Sequence, residues 1–324
     1  MKFLFLIKNY NKIFLSYFFI FILFFFELFF SKYEYKQTFF ITPNESLNTI
    51  SNNLYKENII DNKFFFKLFV YLSLSEKKIK AGEYQFYKNN IFQQIAKIRN
   101  GDVYFRKITI PEGLNTKEII NILKNTEGII LEKNFNLEEI EEGSLFPSTY
   151  FYTYGTNFNI IINRMRKEMI LVLEDAWVNR DKNLFLKNIN EALILASLIE
   201  KETSLNAEKT TIAGVFLNRL KLNMKLQSDP TVIYGIENDL NIKKIKLSKK
   251  DLDYDSNFNT YVYKGLPEGP ICNPGKEAIL AATKPDNNNY LYFVANGQGG
   301  HNFSDNLEKH IENVKKYRNL ENNK

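Results

Sequence analysis

The chain holds one cysteine, Cys272, and two histidines, His301 and His310, in 324 residues. A lone cysteine excludes an internal disulfide. Two histidines without catalytic-zinc spacing leave little from which to build a metal centre, and none is expected. Glycine, proline and tryptophan are scarce, while Phe, Tyr, Asn, Lys and Ile are heavily used, a skew that AT-rich coding produces. That skew inflates lysine, so the formal charge of +6 is weak support for nucleic-acid binding. No arginine-rich stripe or RNA-binding signature supports it either, and no nucleic-acid partner is expected. Ser197 has no nucleophile elbow and no His–Asp partner order, which removes a serine hydrolase. The glycines of GQGG (297–300) form too short a run, too far from the next helix, for a phosphate loop. No repeat recurs at a fixed period, so a solenoid is not expected.

What is present is globular in balance. Hydrophobic residues make up 44% and charged residues 25%, enough chain and apolar content for two modest domains. The N-terminus stands apart. Ile13 to Phe30 is an apolar run of 18 residues broken only by Ser16, Tyr17 and Glu27, about the length that crosses a hydrocarbon core of roughly 30 Å. Lys2, Lys8 and Lys12 precede it, and the flank after it carries less net positive charge. The positive-inside rule then puts residues 1–12 in the cytoplasm and everything after Ser31 outside. A cleaved signal peptide is the rival reading, but the bulky stretch FFELFFSKYEYK lacks a small-x-small cleavage site. A single-pass anchor in the bacterial cytoplasmic membrane is expected, with the remainder extracytoplasmic.

From Gln37 onward short strands alternate with helices. Strands are predicted at Thr38–Thr42, Gly82–Tyr87 and Tyr104–Ile110. Helices are predicted at Ser46–Lys56, Asn62–Leu72, Asn90–Ile98 and Asn115–Lys124. Residues 37–103 thus read strand, helix, helix, strand, the layout of a small LysM-type lobe. The polar stretch Asn125–Glu142 leads on to three helical segments, Phe158–Trp177, Leu184–Thr203 and Ala207–Leu222. A loop-rich region with most of the prolines follows, then a strand at Tyr290–Ala295 and a closing helix at Asn306–Tyr317. The fold class is α+β, with residues 104–324 as a mixed α+β lobe.

The densest chemistry lies in LILASLIEKET (193–203). As a helix it is apolar on both faces, hence buried nearly all round, and it holds Glu200, Lys201 and Glu202 back until its last turn. Burial and the negative end of the helix dipole both favour a protonated carboxyl there, which is what a general acid near neutral pH requires; Lys201 opposes this if it folds back. Periodicity alone does not choose between the two glutamates, nor between a catalytic pair and ordinary surface residues. Two later stretches follow: LQSDPTVIYG (226–235) packs Gln227, Ser228, Asp229, Thr231 and Tyr234 around a proline, and FNTYVYKGLPEGPICNPG (258–275) adds Asn259, Thr260, Tyr261 and Tyr263 with Gly-Pro turns. Such side chains on fixed loops suit a carbohydrate cleft, which stacks on sugar faces and hydrogen-bonds hydroxyls. Structural turns explain the Gly-Pro pairs equally well.

In order along the chain, AGEYQF (81–86), ITIPEG (108–113), EGSLFPSTY (142–150), LASLIEKET, GVFLNRL (214–220), LQSDPTVIYG, NTY (259–261), GLPEGPICNPG and YLYFVANGQGGHNFS (290–304) closely resemble the YceG-like family of endolytic murein transglycosylases. The resemblance covers nearly the whole chain after the anchor. It implies a LysM-like lobe before a catalytic lobe, peptidoglycan as substrate and no cofactor. It assigns the essential acid to Glu202, with Glu200 as the alternate. It places Gln227, Asp229, Asn259, Tyr261 and His301 around the substrate cleft. Ser144 and Ser148 depart from the family pattern, which usually has an aromatic and an acidic residue there.

The implied reaction cleaves the β-1,4 bond between N-acetylmuramic acid and N-acetylglucosamine with closure of a 1,6-anhydro ring. The nucleophile, the C6 hydroxyl, belongs to the substrate, so proximity replaces the second carboxylate of ordinary glycosidases. On a helix Glu200 points about 200° away from Glu202, poorly placed to form a retaining pair. A tethered enzyme would reach nascent strands near the membrane, beside the synthases that make them. The competing class is an anchored, non-catalytic peptidoglycan-binding protein, against which the intact EKET segment speaks.

Overall fold

A computed structural model describes residues 17–18, 33–88, 91–132 and 139–322. The apolar run 13–30 lies, apart from Tyr17 and Phe18, outside them. Among the described residues no helix is long and apolar enough to cross a membrane. The described chain divides into two compact units, one reaching to Arg106 and adding Phe151–Gly155, the other made of Lys107–Tyr150 and the residues from Thr156 onward.

The first unit follows its sequence signals closely. Strand β1 (Tyr33–Ile41) pairs antiparallel with β2 (Gly82–Lys88), Ile41 facing Gly82. Between them run α1 (Leu47–Lys56) and α2 (Lys63–Leu72); α3 (Ile91–Asn100) follows β2. Ser46 starts α1 by accepting the Thr49 N–H at 3.1 Å, and Asn62 starts α2 by accepting those of Phe64 and Phe65. These caps satisfy donors that a first helical turn leaves without partners. The buried faces of the helices meet the sheet in a core of Ile41, Ile50, Leu54, Phe66, Tyr84 and Ile98. Gly82 has φ +144°, and a Cβ there would come within 2.6 Å of Val103, so no larger residue fits the strand start.

The second unit is built around one helix. Before it come α4 (Thr116–Lys124), β4 (Ile129–Ile130), β6 (Thr156–Asn157) and α5 (Phe158–Val178), while the strands β3 (Arg106–Thr109) and β5 (Thr149–Tyr152) each have residues in both units. Asn115 and Glu118 close a capping box at the start of α4. Helix α6 (Ile189–Glu202) buries Ala192 and every residue from Ile194 to Ile199. It packs against α5, α7 (Asn206–Lys221), α8 (Asp229–Leu240) and α9 (Lys276–Thr283). The chain ends with β7 (Tyr292–Ala295), β8 (His301–Ser304) and α10 (Leu307–Asn322).

Two expectations are corrected, and one unassigned segment proves to be a strand. Helix α6 begins at Ile189, not Leu184, because Asp181 holds residues 181–184 in a turn and Asn188 caps the helix by accepting the Glu191 N–H. The region read as loops contains two helices, α8 and α9. Pro230 sits in the first turn of α8, where its missing N–H costs nothing. The segment after GQGG is strand β8, antiparallel to β7, with Ala295 facing His301.

Candidate active site

The last turn of α6 carries both glutamates into different surroundings. Glu200 turns toward α7. The Lys209 ammonium, on a side chain only 2% exposed, lies 3.1 Å from its Oε1, and the Gly275 N–H donates to its Oε2 at 3.0 Å. Glu112 approaches the same ammonium at 3.8 Å. Burial, then the nearby Glu200 charge, push the Glu112 carboxyl up. Lys201 does not fold back over Glu202; its Nζ donates to the Gly113 carbonyl at 3.2 Å.

Glu202 turns the other way, toward the start of α8, and is half-buried. The Ser228 hydroxyl donates to its Oε1 at 2.5 Å. Ser228 stands at the N-cap position of α8 yet makes no side-chain cap bond, its hydroxyl being given to Glu202 instead. The serine is fixed from beneath. Its N–H donates to Thr260 Oγ1 at 3.0 Å, its carbonyl accepts from Thr231 Oγ1 at 2.7 Å, and the two threonine hydroxyls bond each other at 2.9 Å. Gln227, just before it, holds a left-handed φ of 49° with its side chain exposed, a conformation that non-glycine residues seldom adopt outside turns and functional sites.

These surroundings set the acid. Burial pushes the Glu202 carboxyl up to about 7, helped by the negative Asp229. The Ser228 hydrogen bond and the nearby His301 and Arg219 pull part of the way back. Arg219 is itself buried, its Nε on the Leu291 carbonyl and its Nη1 on the Leu226 carbonyl, each at 2.6 Å. Tyr261 donates to Asp229 Oδ1 at 2.6 Å. Burial first, then that acceptor, raise the Tyr261 phenol. His301 is gripped by Glu208, whose Oε2 lies 2.7 Å from Nδ1 and whose Oε1 accepts the His301 N–H at 2.8 Å. Desolvation pushes the Glu208 carboxyl up, but the bonds from His301 outweigh it and bring it below its ordinary value. Gly300 makes this grip possible, since a Cβ there would sit 2.6 Å from Glu208 Oε1.

Of the residues picked from sequence, Glu202, Asp229, Tyr261 and His301 are thus linked by contact or charge around one carboxyl, with Gln227 at the rim. Asn259 is different. It is buried, its amide donating to the Leu252 and Tyr254 carbonyls and its Oδ1 accepting the Tyr261 N–H. All its polar atoms serve the loop that presents Tyr261. Sequence reasoning counted Ser228 only among the polar residues of its loop, without its bond to Glu202, and missed Glu208 and Arg219. Each sits in or near a quoted motif, but their partners lie 26, 93 and 72 residues away, beyond any local pattern. Among the described residues no cluster of three or more His, Cys, Asp or Glu is placed to hold a metal.

The model of the YceG-like family matches residues 39–316. The chain belongs to the YceG-like family. It is 32% identical over 317 residues to the endolytic murein transglycosylase of Bacillus subtilis, a match covering 88% of this chain and 85% of that one. An endolytic murein transglycosylase of Streptococcus pneumoniae is 36% identical over 177 residues, covering 53% of this chain and 31% of the pneumococcal protein. A YceG-like protein of Listeria monocytogenes, solved by crystallography, aligns with a TM-score of 0.51 at 30% identity, over 86% of this chain and 99% of the other. The EKET segment of this YceG-like chain therefore stands within a matched region, not in an isolated motif.

Proposed function

We propose that this YceG-like protein is a membrane-anchored endolytic lytic transglycosylase that cleaves peptidoglycan glycan strands, with Glu202 as its single acid and base. The observation that carries the reading is the Glu202 carboxyl itself. It ends a buried helix, is fixed by Ser228 and is held by burial near 7, so a protonated form is available at neutral pH. With Oε1 accepting from Ser228, the proton rests on Oε2 and can be given away. It passes to the oxygen linking the muramyl C1 to N-acetylglucosamine, and the C1–O bond breaks as oxocarbenium character develops. The carboxylate left behind takes the proton of the C6 hydroxyl, whose oxygen bonds to C1 and closes the 1,6-anhydro ring. Glu202 ends protonated, and no water is consumed. The names of the Bacillus and Streptococcus relatives support this substrate and bond class.

Residues 13–30 anchor the chain in the bacterial cytoplasmic membrane, with residues 1–12 inside. The site then works on nascent strands near the membrane, beside their synthases, and sets their length. Residues 37–103 act as a LysM-like lobe. Incubating the protein with peptidoglycan and searching the products by mass spectrometry tests the reading. New 1,6-anhydromuramyl ends are expected from wild type. Their absence leaves a non-catalytic binding protein; reducing ends indicate a hydrolase.

A further inference from the structure

Helix α2, KFFFKLFVYL, is more apolar than its place in the core requires. Phe66, Phe69 and Val70 fill the core of the first unit, yet Phe64, Leu68, Tyr71 and Leu72 stand exposed. At about 100° per residue these four fall in one stripe roughly 100° wide, opposite the buried three. Leu74, two residues past the helix end, is also exposed, at 79%. Single exposed apolar residues are common, but a continuous stripe marks a contact surface.

Its chemistry selects the occupant. Lysines border the stripe. Lys63 lies 5.4 Å from the centre of the exposed Tyr55 ring, and Lys67 donates to Asn48. Lys77 and Lys78 are exposed in the short turn that follows. From Lys56 to Lys80 there are six lysines against three acidic residues, Glu57, Asp61 and Glu76. A sugar-binding face needs polar groups among its aromatics to meet hydroxyls, whereas this one interleaves Leu68 and Leu72. Aromatic and aliphatic side chains edged by lysine are what the headgroup region of an anionic bilayer accepts.

The chain path adds a second argument. Only Ser31 and Lys32 separate the end of the apolar run at Phe30 from the first residue of β1. Even fully extended, that link spans only about 10 Å. If residues 13–30 cross the membrane, as proposed above and on which this inference rests, the first unit begins against the bilayer surface. We propose that the outer face of α2 docks on that surface. Phe64, Leu68, Tyr71 and Leu72 enter the headgroup layer, and the neighbouring lysines meet anionic phospholipid.

The full chain in vesicles provides the test. Cys272 is fully buried, and burial pushes its thiol well above the ordinary value, so a new cysteine can be labelled selectively. An environment-sensitive fluorophore is placed by Leu72→Cys and, as control, by Val178→Cys at the exposed end of α5. Each protein is reconstituted into phosphatidylglycerol or phosphatidylcholine vesicles with brominated acyl chains, and vesicle association is scored by flotation. In protein that floats, the label at position 72 should shift to the blue and lose emission, more in phosphatidylglycerol than in phosphatidylcholine. The label at 178 should do neither. A floating protein whose label at 72 stays as wet as that at 178 overturns the docking and leaves the anchor standing. Failure to float overturns the anchor and the docking with it. Protection that appears only with added peptidoglycan fragments, or only as protein concentration rises, assigns the face to glycan or to a second copy and likewise overturns the proposal.

Discussion

Glu200 and Glu202 sit two residues apart on one helical turn, and the fold treats them oppositely. Glu200 meets a buried ammonium and a backbone N–H. Glu202 meets a serine hydroxyl and the negative Asp229, and burial raises its carboxyl to about 7. Helical geometry alone explains the divergence: a separation of about 200° sends one side chain to α7 and the other to α8. The contrast is one of direct contact: Glu200 has an ammonium on its oxygen, whereas His301 and Arg219 act on Glu202 only from a distance and are outweighed by its burial. Lys209 is close in sequence to both glutamates, yet it neutralises only the one that faces it.

The largest break in this comparison is Glu202→Gln. It removes the proton donor and keeps the shape, so formation of anhydro ends should fall by about a thousandfold or more, read by mass spectrometry of digested peptidoglycan. Glu200→Gln should act on stability instead. It leaves Lys209 buried with only the more distant Glu112, at a cost of about 3 kcal/mol, the low end for a broken buried pair because Glu112 can move closer. Chemical denaturation measures that loss, while the folded variant should still release anhydro products. Anhydro activity that survives Glu202→Gln and vanishes in Glu200→Gln would reverse the two roles.

The same contrast shows where sequence reading reaches its limit. Ser46, Asn62 and Asn115 announce their helices because a cap and the N–H groups it accepts lie within three residues. The buried character of α6 was likewise visible, since unbroken apolar residues on both faces leave no side for solvent. Helix α8 was hidden because Ser228, Asp229 and Pro230 serve a turn and a helix start equally well. Nothing local shows that the Ser228 hydroxyl abandons its cap for Glu202, or that Glu208 meets His301 from the far end of the chain. The choice between the two glutamates came from family resemblance. The different surroundings of the two, Lys209 on one side and Ser228 on the other, are visible only in three dimensions.

A smaller effect ties the acid to stability. The folded Glu202 carboxyl binds its proton more tightly than the unfolded one, at about 7 against 4.5. Its contribution is therefore fully present below about pH 4.5 and is lost as pH rises through about 7, where the folded state must hold a poorly solvated charge. Glu202→Gln, which cannot ionise, should gain stability over wild type across that window and level off above it, by about 1–3 kcal/mol. Urea denaturation at several pH values reads this directly. A gain independent of pH would mean that the carboxyl is not held up by its surroundings.

The finest test moves the acid without removing it. In the proposed mechanism turnover requires protonated Glu202, so kcat/KM should be flat at low pH and fall about tenfold per unit above about 7. Asp229→Asn removes the charge that raises the carboxyl and keeps an acceptor for Tyr261, so the fall should begin at a lower pH. Ser228→Ala removes the hydrogen bond that lowers it, so the fall should begin higher, with a smaller maximum because Oε1 loses its anchor. Salt separates the two causes. Asp229 is exposed and acts through screened space, so its shift should shrink as ionic strength rises, whereas a hydrogen bond from a buried serine should not respond. Shifts that run in the same direction, or that respond equally to salt, would show that Glu202 is tuned by something other than these two neighbours.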